Sequence, residues 1–237
     1  MPLDVLQFWG WPEGKGATLE KTFDMEDASW LSDGGRTWLV CGQRFGTRTF
    51  LTDASIVLNG EKVVEATGKA GRGKRNFVEV TSLLREKGNE LVVEMADGEK
   101  YTGLLGTLHL YHREAPTQSL SLAGEWRGKN GALLNVPGNA TIEDAAKDVT
   151  IPADWKGKCR VRLWMEGDRD VPLGVRINGT RFVKGHDSNY APVRDLDITD
   201  YLKFGEVNTI ALGHAWNAGQ KKVSLKDIRL DIYGETK

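Results

Sequence analysis

Short runs in which apolar and polar residues alternate follow one another along most of the chain. In Arg229-Leu230-Asp231-Ile232 every second residue is apolar, the period of a strand with one face in a core and the other in water. RTWLVCG, ASIVLNG, KVVEA, NFVEV, NELVVEM and GTLHLYH form such β-rich runs in the first half. RVRLWMEG, LGVRING, RFVKG, RDLDI, NTIALGH and DIRLDIYG answer in the second, each bounded by Gly, Asn or Asp. Asn59-Gly60 and Asn178-Gly179 stand between two runs each. Asn-Gly adopts the positive φ values of a type I′ turn at little cost, so each pair predicts a hairpin tip. Helical signals are short. SLLREKG and DYLKFGE read as single helical turns capped by Ser82 and Asp200, leading into strands that open on Asn89 and Asn208. NATIEDAAK (139–147) reads as one further short helix.

These landmarks recur at a constant spacing. The Asn-Gly pairs lie 119 positions apart (178 − 59), as do Asn89 and Asn208 (208 − 89), while Val80-Thr81 and Ile198-Thr199 lie 118 apart (198 − 80). A domain-sized offset shared by several landmarks implies an internal duplication, and 237 residues can bury two cores of ordinary size. The stretch EAPTQS, between Arg113 and Ser121, has linker composition, so the expected domains are 1–114 and 115–237. Many short strands with no βαβ alternation predict an all-β protein, two tandem antiparallel β-sandwiches.

Charge narrows the function. A net charge of −1 and a pI near 6.5 leave no electrostatic footprint for nucleic acid or an anionic membrane. The densest basic stretch, Arg72, Lys74 and Arg75, is Gly-separated and reads as a solvated loop. No apolar run approaches the roughly 20 residues of a membrane helix, and the first residues lack the basic start and apolar core of a signal peptide. Cys41 and Cys159 fall in different repeats and read as free thiols, with no zinc-type spacing around them.

The order of motifs in the second half resembles a known family. VTIPADWKGKCRVRLWMEG, VRINGTRFVKGHDSNYAPVRDLDITDYLKFGEVNTIALG and LKDIRLDIYG, preceded by LAGEWRGKNGALLNVPGNAT, are similar to the sugar-binding jelly-roll domain of family 2 glycoside hydrolases, the β-galactosidase and β-glucuronidase group. That domain belongs to the wider set of galactose-binding-like β-sandwiches. The resemblance covers Leu120 to Gly234 closely and Leu19 to Arg113 more loosely. It implies a jelly-roll fold for both halves. In such enzymes catalysis belongs to a separate barrel carrying two glutamates, and a barrel needs roughly 250 residues, which two sandwiches do not leave in this chain. The first repeat departs from the pattern. It has Glu79-Val80-Thr81 where the second has Asp197-Ile198-Thr199, and its loop ATGKAGRGKRN contains no aromatic residue.

Few residues suggest catalysis. Glycoside hydrolysis requires two carboxyl groups about 5 Å or 6.5–9.5 Å apart, and Asp195 and Asp197 flank Leu196 on one face of a strand. The reading adopted for them is structural, with Asp197 bonding backbone ahead of Thr199. No G-x-S-x-G elbow occurs, His109, His112, His186 and His214 lack a partnered nucleophile motif, and GKAGRGKR is not followed by a P-loop helix. Sugar recognition has better candidates, because a pyranose packs its C–H face on an aromatic ring and offers hydroxyls to polar side chains. His186, Asp187, Asn189, Tyr190 and Arg194 fall in one loop of the second repeat, and Trp216 and Asn217 in another. The competing reading for Tyr190 and Trp216 is packing. Trp38, Trp126, Trp155 and Trp164 are assigned to the core, and Trp9 and Trp11 to an N-terminal arm. No cofactor is expected; the lesser alternative is a structural calcium at Asp168-Arg169-Asp170 and Asp187.

The leading expectation is therefore a non-catalytic carbohydrate-binding or accessory region of a glycoside hydrolase-like protein. Its partners would be an oligo- or polysaccharide and a catalytic domain of the same parent. A secreted, periplasmic or cell-surface location of the parent follows from that reading, with no nucleic-acid or membrane partner. The alternatives are purely structural accessory domains, and a self-contained glycan hydrolase or lyase.

Overall fold

The computed structural model describes residues 17–41, 50–52, 54–66, 76–95, 103–105, 108–128, 131, 133–136, 138–140, 145–167, 173–181, 193–214 and 223–234. They belong to two compact units, Met1–Ala115 and Pro116–Lys237. Every strand pair among them is antiparallel, and the fold is an all-β sandwich. Among these residues no helix is long and apolar enough to cross a membrane.

The first unit contains β1 (Ala17–Phe23), β2 (Arg36–Cys41), β3 (Phe50–Thr52), β4 (Ala54–Leu58), β5 (Glu61–Ala66), β6 (Asn76–Glu79), β7 (Asn89–Met95), β8 (Gly103–Leu105) and β9 (Leu108–Arg113). Its main sheets have the orders β1-β7-β4-β5 and β6-β2-β9, with β3-β8 as a separate pair. Strand β7 shows why these residues form strands. Asn89, Leu91, Val93 and Met95 are buried, while Glu90 and Glu94 between them are exposed. Leu91 and Val93 join Leu39, Ile56, Leu58 and Leu110 in the core, each burial worth about 1.5–3 kcal/mol.

The second unit contains β10 (Gln118–Ser121), β11 (Gly124–Arg127), β12 (Leu133–Val136), β13 (Gly138–Ala140), β14 (Ala145–Thr150), β15 (Cys159–Gly167), β16 (Leu173–Ile177), β17 (Thr180–Arg181), β18 (Val193–Asp197), β19 (Val207–His214) and β20 (Val223–Gly234). One sheet runs β12-β11-β14-β19-β16-β17. The other runs β10-β20-β15-β18, with β13 also on β20. Leu163, Ile177, Ile210, Leu212 and Ile228, none with measurable exposure, lie in the core between them.

Both Asn-Gly pairs are I′ tips. Asn59 and Gly60 have φ of 52° and 87°, and Asn178 and Gly179 have 51° and 80°. Behind each tip lies the same set of bonds. Asn59 Nδ2 donates to Asn89 Oδ1 (3.0 Å) and to the Leu83 carbonyl (2.6 Å), and its Oδ1 accepts from the Glu90 amide (2.8 Å). Asn178 Nδ2 donates to Asn208 Oδ1 (2.8 Å) and to the Tyr201 carbonyl (3.0 Å), and its Oδ1 accepts from the Thr209 amide (3.0 Å). Asn89 and Asn208 have no exposure. Burial without these partners would cost each polar group about 1–3 kcal/mol.

The helical turns and one helix need correction. The turns are 3-10 segments, Thr81–Leu83 and Thr199–Tyr201, and neither has a side-chain cap. Ser82 and Asp200 lie inside them rather than before them. The threonines close them instead, because Thr81 Oγ1 accepts from the Thr37 amide and Thr199 Oγ1 from the Val161 amide, both at 2.8 Å. NATIEDAAK is not helical in its described parts. Asn139 and Ala140 belong to β13, paired with β20, and Ala145 to Lys147 belong to β14, paired with β19. Ala145 is fully buried opposite Leu212, so sheet pairing overrides the helix propensity of the two alanines.

The tryptophans divide. Trp126 and Trp155 are in the second core, and the Trp126 indole donates to the Leu122 carbonyl at 2.8 Å. Trp38 and Trp164 are buried but lie outside the core clusters, on the opposite faces of β2 and β15. Trp164 stands in register between Asp195 and Arg229, and the Arg229 guanidinium lies 5.2 Å from its ring centroid. An apolar run in sequence therefore conceals a tryptophan on a salt-bridged face.

Candidate functional site

Of the residues expected to meet a ligand, His186, Asp187, Asn189, Tyr190, Trp216 and Asn217 lie outside the described residues, as do Trp9, Trp11, Asp168, Arg169 and Asp170. Arg194 is described. It stands in β18 opposite Met165, a member of the core, and two positions from Leu196, which also faces the core. Alternation along a strand therefore puts the half-buried Arg194 side chain on the core face of the sheet. Its position at the start of β18 follows the expected ligand loop directly. Its Nε and Nη2 are buried there, so these donors point into the unit rather than to solvent.

Asp195 and Asp197 are brought to one face and then used structurally. Asp195, 4 % exposed, accepts from Arg162 Nε at 2.8 Å. Asp197 Oδ1 accepts from the Thr199 hydroxyl (2.7 Å) and amide (3.2 Å), holding the 3-10 turn. The first unit carries the equivalent arrangement with a longer acid. Thr81 Oγ1 donates to Glu79 Oε1 (3.3 Å), and Glu79 also forms an ion pair with Arg36. Arg36 beside it holds the Glu79 carboxyl below its ordinary pKa, against the opposing effect of burial. Glu79 and Thr81 thus do the work of Asp197 and Thr199, although the triplets differ in sequence.

Sequence reasoning overlooked a shallow cavity in the second unit, about 480 Å³ in volume. Lys156, Lys158 and Arg160 contribute to its lining together with Asp200, Leu202 and Phe204. The three cations occur at every second position across Trp-Lys-Gly-Lys-Cys-Arg, a signal concealed by reading that segment only as a turn. Arg160 lies 5.1 Å over the Tyr233 ring. Cys159, also in the lining, is a buried thiol outside any disulfide whose pKa is raised, first by burial and then by Asp154, against the lowering effect of Lys158.

The matching end of β2 in the first unit is arranged differently. His112 Nε2 lies 2.7 Å from Asp33 Oδ2 and its Nδ1 2.8 Å from Thr37 Oγ1, while Trp30 stacks on its ring at 4.6 Å and 11°. A Ser-His-Asp-like order is present, but Thr37 is only 1 % exposed, out of reach of a substrate. Among the described residues no group of three or more His, Cys, Asp or Glu side chains is arranged to hold a metal ion.

The chain matches no protein-family model and no curated protein sequence. Solved structures similar to it include glycoside hydrolases. The β-D-glucuronidase of Dictyoglomus thermophilum is 13 % identical, with a TM-score of 0.38 over 52 % of this chain and 29 % of that one. A Bacteroides uniformis β-glucuronidase is 11 % identical, with a TM-score of 0.38 over 94 % of this chain and 24 % of that one. A glycosyl hydrolase family 2 member from Bacteroides cellulosilyticus is 11 % identical, with a TM-score of 0.34 over 93 % of this chain and 28 % of that one. The chain thus spans less than a third of each of these proteins.

Proposed function

We propose that the chain is a tandem pair of jelly-roll, galactose-binding-like domains, the non-catalytic carbohydrate-binding part of a family 2 glycoside hydrolase-like protein. In this reading the second domain contacts an oligo- or polysaccharide through His186, Asp187, Asn189, Tyr190, Arg194, Trp216 and Asn217. The carrying observation is the place of Arg194 in the chain, at the start of β18 and close after the segment that holds His186 to Tyr190. The motif order from Leu120 to Gly234 supports the same reading, as does the use of Asp195 and Asp197 in an ion pair and a turn rather than a reactive pair. A catalytic domain of the same parent would supply the chemistry.

The test is affinity electrophoresis of the whole chain against a panel of soluble glycans, with Trp216→Ala, Tyr190→Ala and Arg194→Ala in parallel. Retention of the wild type on at least one glycan, lost in these variants, is the expected result. Wild-type migration unaffected by every glycan would refute glycan binding and leave accessory packing as the role of both domains.

A further inference from the structure

We infer that the cavity beside Lys156, Lys158 and Arg160 binds the anionic group of an acidic saccharide, a second contact separate from the Arg194 loop. This inference rests on the carbohydrate reading above. Among the described lining residues, those three cations occur with one carboxylate, Asp200. Lys156 and Lys158 are exposed, so their ammonium groups meet a ligand without leaving a buried position. Leu202 and Phe204 supply an apolar wall beside the cations. Phe204 is half-buried and packed on the core, so its position is set before a ligand arrives. An apolar wall next to a cationic edge fits a sugar ring that carries a carboxylate or sulfate, with C–H groups on the wall and the anion on the lysines.

Comparison with the first unit sharpens the assignment. Because Thr81 and Thr199 hold Thr37 and Val161 alike, Arg36 occupies the place of Arg160 and Gly35 that of Cys159. Arg36 forms an ion pair with Glu79, and Asp33, His112 and Trp30 form a connected polar and stacked group at that end. A Cβ at Gly35 would lie 2.4 Å from the Arg113 carbonyl and 2.8 Å from His112 Cε1. The first unit thus brings an acid and an aromatic stack to the end where the second presents lysines.

The experiment measures binding of the 237-residue chain to polygalacturonate, chondroitin sulfate and neutral dextran. The wild type is compared with the double charge reversal K156E/K158E and the milder K156Q/K158Q, and the melting curve of each variant is recorded. Binding to an acidic glycan at least tenfold tighter than to dextran, weakened tenfold or more by K156E/K158E and progressively by salt, is the expected result. Equal binding of acidic and neutral glycans, or acidic binding unchanged in both variants, would overturn this inference and leave the carbohydrate reading standing. Retention of none of these or any other glycan overturns both. Should K156E/K158E melt early, K156Q/K158Q decides the matter by the same comparison.

Discussion

The side-chain amide of Asn178 donates to Oδ1 of Asn208 across 2.8 Å, joining a hairpin tip to the start of the strand that pairs beside it. Asn208 Oδ1 also accepts from the Lys203 amide (2.7 Å), and its Nδ2 donates to the carbonyls of Lys203 (2.9 Å) and Glu206 (3.1 Å). One buried side chain therefore satisfies a tip, a 3-10 turn and a strand entry together. Asn59 and Asn89 do the same in the first unit.

Truncating that side chain leaves several buried groups without partners. Asn208→Ala is expected to destabilise the second unit by about 2–4 kcal/mol, and Asn89→Ala the first by a similar amount. Urea unfolding followed by hydrogen exchange checks this, since each variant should lower protection in its own unit.

Gly234 has a φ of +118°, and a Cβ there would lie 2.4 Å from the Lys158 carbonyl oxygen. Gly234→Ala is expected to cost about 2 kcal/mol or more, combining backbone strain with a clash that backbone atoms cannot avoid. Gly179→Ala is the control, because its φ is +80° but no atom lies within 4 Å of the added methyl. It should cost only about 1 kcal/mol. Equal losses in chemical denaturation would contradict the clash.

The Arg36–Glu79 pair predicts a pH dependence of defined sign. Because the folded Glu79 pKa is lowered, its contribution is complete above the unfolded value of about 4.3 and disappears as pH falls through the folded value. The side chains are 46 % and 41 % exposed, so solvent screening limits the effect to about 0.2–1 kcal/mol. The difference in stability between wild type and Glu79→Gln should be largest at neutral pH and vanish in acid, and it should shrink in high salt.

Burial raises the Cys159 pKa, so little reactive thiolate is present at neutral pH. Iodoacetamide should modify Cys159 more slowly than a free cysteine at the same pH, and unfolding in urea should remove the protection. The sign for stability is opposite to that of Glu79. The contribution of the neutral thiol is complete below the unfolded pKa and is lost as pH rises through the folded one. Mass spectrometry maps the modified cysteine in the wild type, and Cys159→Ala should flatten the alkaline decline in stability measured by urea unfolding across a pH series.

The features legible in the chain were those with a local cause. Asn59-Gly60 and Asn178-Gly179 announce their turns because Asn and Gly tolerate positive φ. Alternation announces β7 because one side of it faces water. Ser82 and Asp200 misled because the threonine hydroxyls that close those turns bond to Thr37 and Val161, 44 and 38 positions away. NATIEDAAK misled because alanine favours helix only until a neighbouring strand buries it. Trp164 shows the same limit, since an apolar run does not say which face of a sheet will be buried.

By itself the sequence determined the strand-rich architecture, the two hairpin tips and the repeat of Asn-led strands, all of which follow from side-chain period and backbone freedom within a few residues. Only the tertiary structure decided that Glu79 and Asp197 both brace threonine turns and that Asp195 is held by Arg162. It alone brought Lys156, Lys158 and Arg160 beside Phe204. Those relations depend on which strands lie side by side and in what register, and that is settled by packing across the whole unit.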